Sequence, residues 1–228
     1  MLCPMPLGQP RLHFRATDST NARARELAHD GALHGTLVTA TEQSAGRGRQ
    51  GRTWSAPAGQ ALLMSLILRE WHALLPLAVA VAVAETAGEA ARIKWPNDVL
   101  LGGRKVAGIL VEARPQEGWA VIGIGLNVAV DLDALPADLR ATAGTLGRLP
   151  ADLEPTLATL LTTLEGRLTT RELDLLAAYR ARDALAGREL RWADGKGRAV
   201  GIDDHGRLLV DTRAGRVALD AGEVHLSV

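Results

Sequence analysis

One segment limits the folds open to this chain more than any other. Glu42 to Gly59 carries four glycines, three arginines and a proline, with no apolar period. It stands between two runs that read as buried strands, Thr36 to Thr41 (TLVTAT) and Ala61 to Leu68 (ALLMSLIL). Long loops without regular structure inside compact domains are commonly functional or mobile. The chain therefore combines a buried sheet with a cationic, glycine-jointed loop that the sheet must support.

The rest of the pattern predicts an α+β fold. Asp18-Ser19-Thr20-Asn21 supplies N-cap candidates ahead of the helix formers Ala22 to Ala28. Pro76 suits the first turn of a helix running to about Ala91, apolar nearly all round and so buried. Val99 to Leu101, Gly102-Gly103 and Arg104 to Ala113 read as a hairpin, and Gly118 to Val128 completes a mixed, largely antiparallel sheet with packed helices. Leu157, Leu160, Leu161, Leu164 and Leu168 keep helical spacing, and Thr169 with Glu172 forms a capping-box pattern for a further helix.

After Gly187 the texture changes. Five short β runs, Glu189–Trp192, Ala199–Ile202, Arg207–Val210, Arg216–Leu219 and Val224–Leu226, alternate with turns such as Asp194-Gly195 and His205-Gly206. About forty residues in such strands suggest a small barrel. The expected division is residues 1–185 and residues 186–228.

Composition removes several classes. Hydrophobic residues make up 47% and aromatics 3%, so aliphatic side chains build the core. The formal net charge is zero, which argues against a general nucleic-acid or anionic-membrane binder. The single cysteine, Cys3, excludes disulfides within the chain and Cys-rich metal sites, and beside Pro4 it reads as a frayed terminal thiol. Met1 to Phe14 has three prolines and no apolar signal region, and Leu74 to Ala84 is too short to span a bilayer. A cytoplasmic protein is expected.

Three motifs carry the chemistry. In Gly46-Arg47-Gly48-Arg49-Gln50-Gly51-Arg52-Thr53-Trp54 the glycines admit close backbone approach, the arginines offer forked donors for carboxylate or phosphate, and Trp54 offers a face for a base. The stretch imitates a P-loop, but a true P-loop feeds a helix, and here Pro57 and Gly59 lead into a β run. In Lys94-Trp95-Pro96-Asn97-Asp98 a turn precedes Lys105, which opens KVAGILVE, so that a strand mouth aims the lysine. Gly123-Ile124-Gly125-Leu126-Asn127 ends a strand whose glycines mark close approach by a ligand or another backbone; Val128 stands where a dinucleotide fingerprint needs glycine. Each motif alone is equally compatible with a solvated basic turn, a turn former or a strand-edge lysine.

Taken in order, the motifs at 18–21, 46–54, 94–98, 105–110 and 123–127 closely resemble those of class I bacterial biotin protein ligases, from about Leu12 to the C-terminus. The resemblance implies a class II synthetase-like catalytic domain followed by an SH3-like barrel, without the N-terminal DNA-binding domain of some relatives, so no DNA binding is expected. It implies biotin bound by Ser19, Thr20, Asn21, Gln43 and Gly108 and closed over by Gly46, Arg47, Gly48 and Arg49. It places Lys105 and Arg49 at the carboxylate and α-phosphate as catalytic groups. Arg52, Trp54, Asn97, Asp98 and Asn127 would serve ATP or the adenylate, with Trp54 stacking on adenine. Magnesium would arrive with ATP, near Asp98, without a site made by protein alone.

The implied reaction joins biotin to ATP as biotinyl-5′-AMP and transfers biotin to a lysine of a biotin carboxyl carrier protein. A lipoate or octanoate ligase, a non-catalytic biotin sensor and an interaction protein remain alternatives. A homodimer, or docking of the carrier by strand addition at an exposed edge, stays open.

Overall fold

The computed structural model describes residues 6–220, 222 and 224–226. Cys3 and Glu223 lie outside the described residues.

Seven strands form the main sheet: β1 Arg11–Phe14, β2 Leu37–Ala40, β3 Ala61–Leu68, β4 Arg92–Lys94, β5 Asp98–Leu101, β6 Arg104–Arg114 and β7 Trp119–Asn127. Their order is β1-β2-β3-β7-β6-β5-β4, and β1–β2 is the parallel pair in an otherwise antiparallel sheet. The tip of the β5–β6 hairpin is Gly102-Gly103, with φ of 58° and 78°, the left-handed pair that a tight hairpin turn demands.

β3 is buried along all eight residues because helices cover both faces. Leu62, Met64, Leu66 and Leu68 pack toward α2 (Leu75–Ala87), while Ile67 meets Ala24 and Ala28 of α1 (Thr20–His29). Ser65 is the one hydroxyl in that strand. α2 itself is buried almost throughout, which explains its unbroken apolar composition. It stops at Ala87, short of the expected Ala91, because the Gly88 amide caps Ala84 and Glu85 carbonyls at a non-helical φ of 120°.

A short helix, α3 (Ala137–Arg140), precedes α4 (Leu153–Leu168) and α5 (Glu172–Arg180). Leu157, Leu160 and Leu164 are the buried leucines of α4, in line with their spacing. The Thr169–Glu172 capping box is not formed. Thr169 instead caps the end of α4, its hydroxyl donating to the Glu165 and Gly166 carbonyls, and Arg171 takes the N-cap of α5. With α4 ending one residue earlier, the hydroxyl satisfies orphan carbonyls of that helix rather than amides of the next.

Two strands lay outside the sequence reading. β1 sits in the proline-rich start and gains its bonds from β2, with Leu37 N donating to Pro10 O. β4 has three residues and is clipped on its far side by Ile93 N to Arg182 O and Ala184 N to Ile93 O.

Past Leu185 come β8 Glu189–Trp192, β9 Gly195–Ile202, β10 Leu208–Thr212, β11 Gly215–Leu219 and β12 His225–Leu226. They form an antiparallel sheet in the order β11-β10-β9-β8-β12 where the small barrel was expected. Its apolar residues Leu190, Ala199, Leu208 and Val210 share one core cluster with α2 and α5. Trp95 Nε1 donates to Gly206 O at 3.1 Å, tying the KWPND turn to this second sheet. Among the described residues, no helix is long and apolar enough to cross a membrane.

Candidate active site

The glycine–arginine loop is folded back on itself. Its start is stitched to the approach of α1 by Thr17 N to Glu42 O and Ser44 N to Thr17 O. Farther on, Gly48 N donates to Arg52 O at 2.7 Å and Trp54 N to Gly46 O at 2.9 Å. The tip is a single 3-10 turn, Arg49–Gly51, in which Gln50 takes a left-handed φ of 54°. This finger covers a cleft on the sheet.

One side of the cleft is neutral and rich in hydrogen-bonding groups. Ser19 caps α1 and accepts weakly from Ala22 N at 3.4 Å. Gln43 Oε1 accepts from Thr20 N at 2.7 Å and lies 3.1 Å from the Thr20 hydroxyl. Asn21 spans to β6, its Nδ2 donating to Glu112 Oε2 at 2.9 Å, and lies over Gly123 of β7, where a side chain would collide with it. Ser19, Thr20 and Asn21 are all buried, so these polar contacts are needed to offset desolvation.

The other side is cationic and aromatic. Asp98 of β5 pairs with Gly108 of β6, and Lys105 Nζ lies 2.7 Å from Asp98 Oδ1. The same ammonium stands 5.6 Å from the centre of the Trp54 ring. Gly108 faces Gly125 across β6–β7, and the indole rests on that pair. Arg49 also lines the cleft; burial pulls its guanidinium below the ordinary arginine value, with the Asp98 charge opposing. Partly buried cations beside the Lys105–Asp98 ion pair make a seat for anions.

Most residues singled out from the sequence meet here: Ser19, Thr20, Asn21, Gln43, Arg47, Gly48, Arg49, Arg52, Trp54, Asn97, Asp98, Lys105 and Gly108 all line the cleft. Two do not. Gly46 is packed beneath the Trp54 carbonyl and Gln43, where a Cβ would clash, so its part is to let the finger close. Asn127 is buried at the end of β7, where Nδ2 donates to Gly144 O at 2.8 Å and Oδ1 has no partner among the described residues. Asn97 lines the cleft with its amide committed to the Ile109 carbonyl at 2.9 Å, which holds the turn against β6.

Sequence reasoning assigned no role to Gln50, Thr53 and Lys94, although all three stand inside the motifs, or to Val224, which leads into β12. It also missed Ser65 and Glu112, which support the site from behind. A lone serine in an apolar strand was the available signal for the first.

The model of the biotin/lipoate A/B protein ligase family matches residues 13–128, and that of the biotin protein ligase C-terminal domain matches residues 194–227. The biotin--[acetyl-CoA-carboxylase] ligase of Paracoccus denitrificans is 38% identical, over 91% of this chain and 97% of its own. A bifunctional ligase/repressor BirA of Bacillus spizizenii is 35% identical, over 96% of this chain and 75% of its own. Among solved structures, a biotin protein ligase from Aquifex aeolicus in complex with biotin and ATP superposes with a TM-score of 0.81 at 27% identity, covering 96% of this chain and 99% of that one.

Proposed function

The chain belongs to the biotin/lipoate A/B protein ligase family, and from that premise we propose that it activates biotin with ATP and transfers it to a lysine of a carrier domain. The observation that carries the reading is the two-sided cleft. A neutral, hydrogen-bonding side formed by Ser19, Thr20, Asn21 and Gln43 suits a cyclic urea, and the side holding Lys105, Arg49 and Trp54 suits a carboxylate meeting a nucleotide.

In the first step the biotin carboxylate oxygen attacks the α-phosphorus of ATP, a P–O bond forms, and the bond to pyrophosphate breaks. In the second, the carrier lysine amine attacks the acyl carbon, AMP leaves, and the amine loses a proton. Neither step needs a protein nucleophile. The chain's work is to bring two anions together and to hold charge as it moves. Lys105 exchanges its Asp98 partner for the incoming carboxylate and phosphate, Arg49 clamps the same oxygens, and Trp54 gives adenine a face. Arg47 and the closed finger keep water from the mixed anhydride.

Magnesium fits this site only together with ATP. Among the described residues no group of three or more His, Cys, Asp or Glu side chains forms a metal cage, and the oxygen donor beside the cations is Asp98. When bound, the ion neutralises phosphate charge.

Within the same reading, residues 1–185 carry the chemistry and residues 186–228 form a second unit that shares a core cluster with α2 and α5 and contributes Val224 to the cleft. The carrier is a biotin carboxyl carrier domain, the compartment is the cytoplasm, and the zero net charge argues against a general nucleic-acid binder.

The test is incubation with biotin, ATP, magnesium and a carrier domain, followed by mass measurement of the carrier. A carrier that gains one biotinyl group supports the reading; an unchanged carrier with no pyrophosphate released removes it. Because the family description includes lipoate ligases, lipoate is run in parallel and should leave the carrier unmodified.

A further inference from the structure

Three strands meet in one row behind the neutral side of the cleft. Period two puts Glu112 on the same face of β6 as Gly108 and Leu110. Ser65 of β3 stands opposite Gly123 of β7, and Gly123 stands opposite Leu110 of β6. Gly123 has no side chain, and the Asn21 amide fills the space over it. Asn21 thereby bridges Ser65 on one side and Glu112 on the other, with Ser65 Oγ donating to Asn21 Oδ1 at 2.6 Å and Asn21 Nδ2 donating to Glu112 Oε2 at 2.9 Å. Ser65 Oγ also lies 2.8 Å from Thr20 Oγ1.

The directions of these bonds follow from donor and acceptor chemistry. A carboxylate accepts only, so Asn21 turns its NH2 toward Glu112 and its carbonyl toward Ser65. That carbonyl also accepts only, and it takes the single Ser65 proton. The Thr20 hydroxyl is left to donate to Ser65 Oγ or to Gln43 Oε1, both within reach. Its lone pairs then face the cleft as acceptors. Glu112 is held in turn by Arg25 Nη1, 2.9 Å from its other oxygen, so its carboxylate is anchored from outside.

We propose that Glu112, which does not line the cleft, is a positioning residue that sets the hydrogen-bond polarity of Asn21, Ser65 and Thr20, and so selects a ring that offers N–H donors to Thr20. The inference rests on the biotin reading above and deepens it: the recognised head is a cyclic urea in its neutral form.

Glu112→Gln tests this with little change of shape, since a glutamine presents either an acceptor or a donor to Asn21 and frees the amide to turn. Biotin KM should rise ~tenfold, the scale of one buried hydrogen bond lost, while kcat at saturating biotin and KM for ATP stay unchanged. The preference for biotin over an analogue methylated at a ring nitrogen, which removes one N–H donor, should narrow. Ser65→Ala should behave alike, and it decides the matter if Glu112→Gln does not fold. The double variant should lose no more than the worse single variant, since both cut one relay.

Unchanged biotin KM and unchanged discrimination in the single variants would overturn the relay, as would fully additive losses or an equal rise in KM for ATP. These results leave the ligase reading standing if the wild-type protein modifies the carrier. A wild-type protein that forms no biotinyl adenylate overturns the ligase reading and the relay with it.

Discussion

Gly108 and Gly125 stand directly opposite one another across β6 and β7, and the Trp54 indole lies on the bare backbone between them. A Cβ at Gly108 would come within 2.9 Å of the ring, and one at Gly125 would overlap it. Two glycines far from the loop in sequence thus make the seat for the loop's one aromatic side chain. Lys105 stands over the same ring, 5.6 Å from its centre, and favours keeping the electron-rich face beneath a cation.

From this seat follows the first prediction. Gly125→Ala should push the indole off the sheet at a cost of about 1–3 kcal/mol, as overpacking does. ATP affinity should fall ~tenfold or more, 1.4 kcal/mol being a factor of ten, while biotin affinity is retained. Titration calorimetry with each ligand checks it; equal losses for both would mean that the damage is general.

Lys105 and Arg49 are the cations assigned to the reacting anions. Lys105→Ala and Arg49→Ala should each cost ~3–4 kcal/mol of transition-state stabilisation, the scale of one preorganised donor. Single-turnover pyrophosphate release gives the number. A rate near wild type in either variant would refute the assignment of that residue. Lys105→Ala should also lower thermal stability slightly, because Asp98 loses its 2.7 Å partner.

Arg47 belongs to the finger rather than to the reacting centre, and it forms a bridge with Thr53. Arg47→Ala should leave adenylate formation nearly intact and speed the escape or hydrolysis of the adenylate several-fold, because a looser finger admits water. Chasing preformed biotinyl adenylate with unlabelled ligand measures this. An unchanged escape rate would remove Arg47 from that role.

Asp183 makes a prediction about pH. Burial pushes its carboxyl above the ordinary aspartate value, against the pull of the Leu185 and Ala186 amides. The unfolded chain therefore gives up this proton at a lower pH than the folded chain does. The sign is fixed: this group favours folding most at low pH, and the contribution declines as pH rises from near 3.8 through the higher folded value. Asp183→Asn should flatten that part of the profile and leave stability at neutral pH equal or higher. Thermal unfolding of both proteins from pH 4 to 7, in steps of about one unit, would show it; parallel curves would contradict the reading.

How far the fold could be read locally depends on the element. β3 and the β5–β6 hairpin were legible because an apolar run and a Gly-Gly turn state their own geometry. A cap within Asp18 to Asn21 was legible because N-cap chemistry is local, and the structure gives that place to Ser19. β1 was not, because the alternation in Arg11 to Phe14 is only four residues long beside a proline-rich start, and it becomes a strand by pairing with β2. Thr169 was misread because two helix ends lay within reach of one hydroxyl and only the true end of α4 could choose between them.

The amino-acid sequence by itself determined the family, the order of the elements and most of the cleft's lining, since motif residues within a few positions of each other are placed by turns and caps they carry themselves. What only the tertiary structure decided is everything that depends on register between distant strands. Trp54 rests on Gly108 and Gly125, Ser65 and Glu112 meet Asn21 from opposite sides, and Val224 reaches the cleft from another sheet. Strand pairing sets those neighbours, and pairing is chosen by the burial of whole faces at once, which no local stretch of residues records.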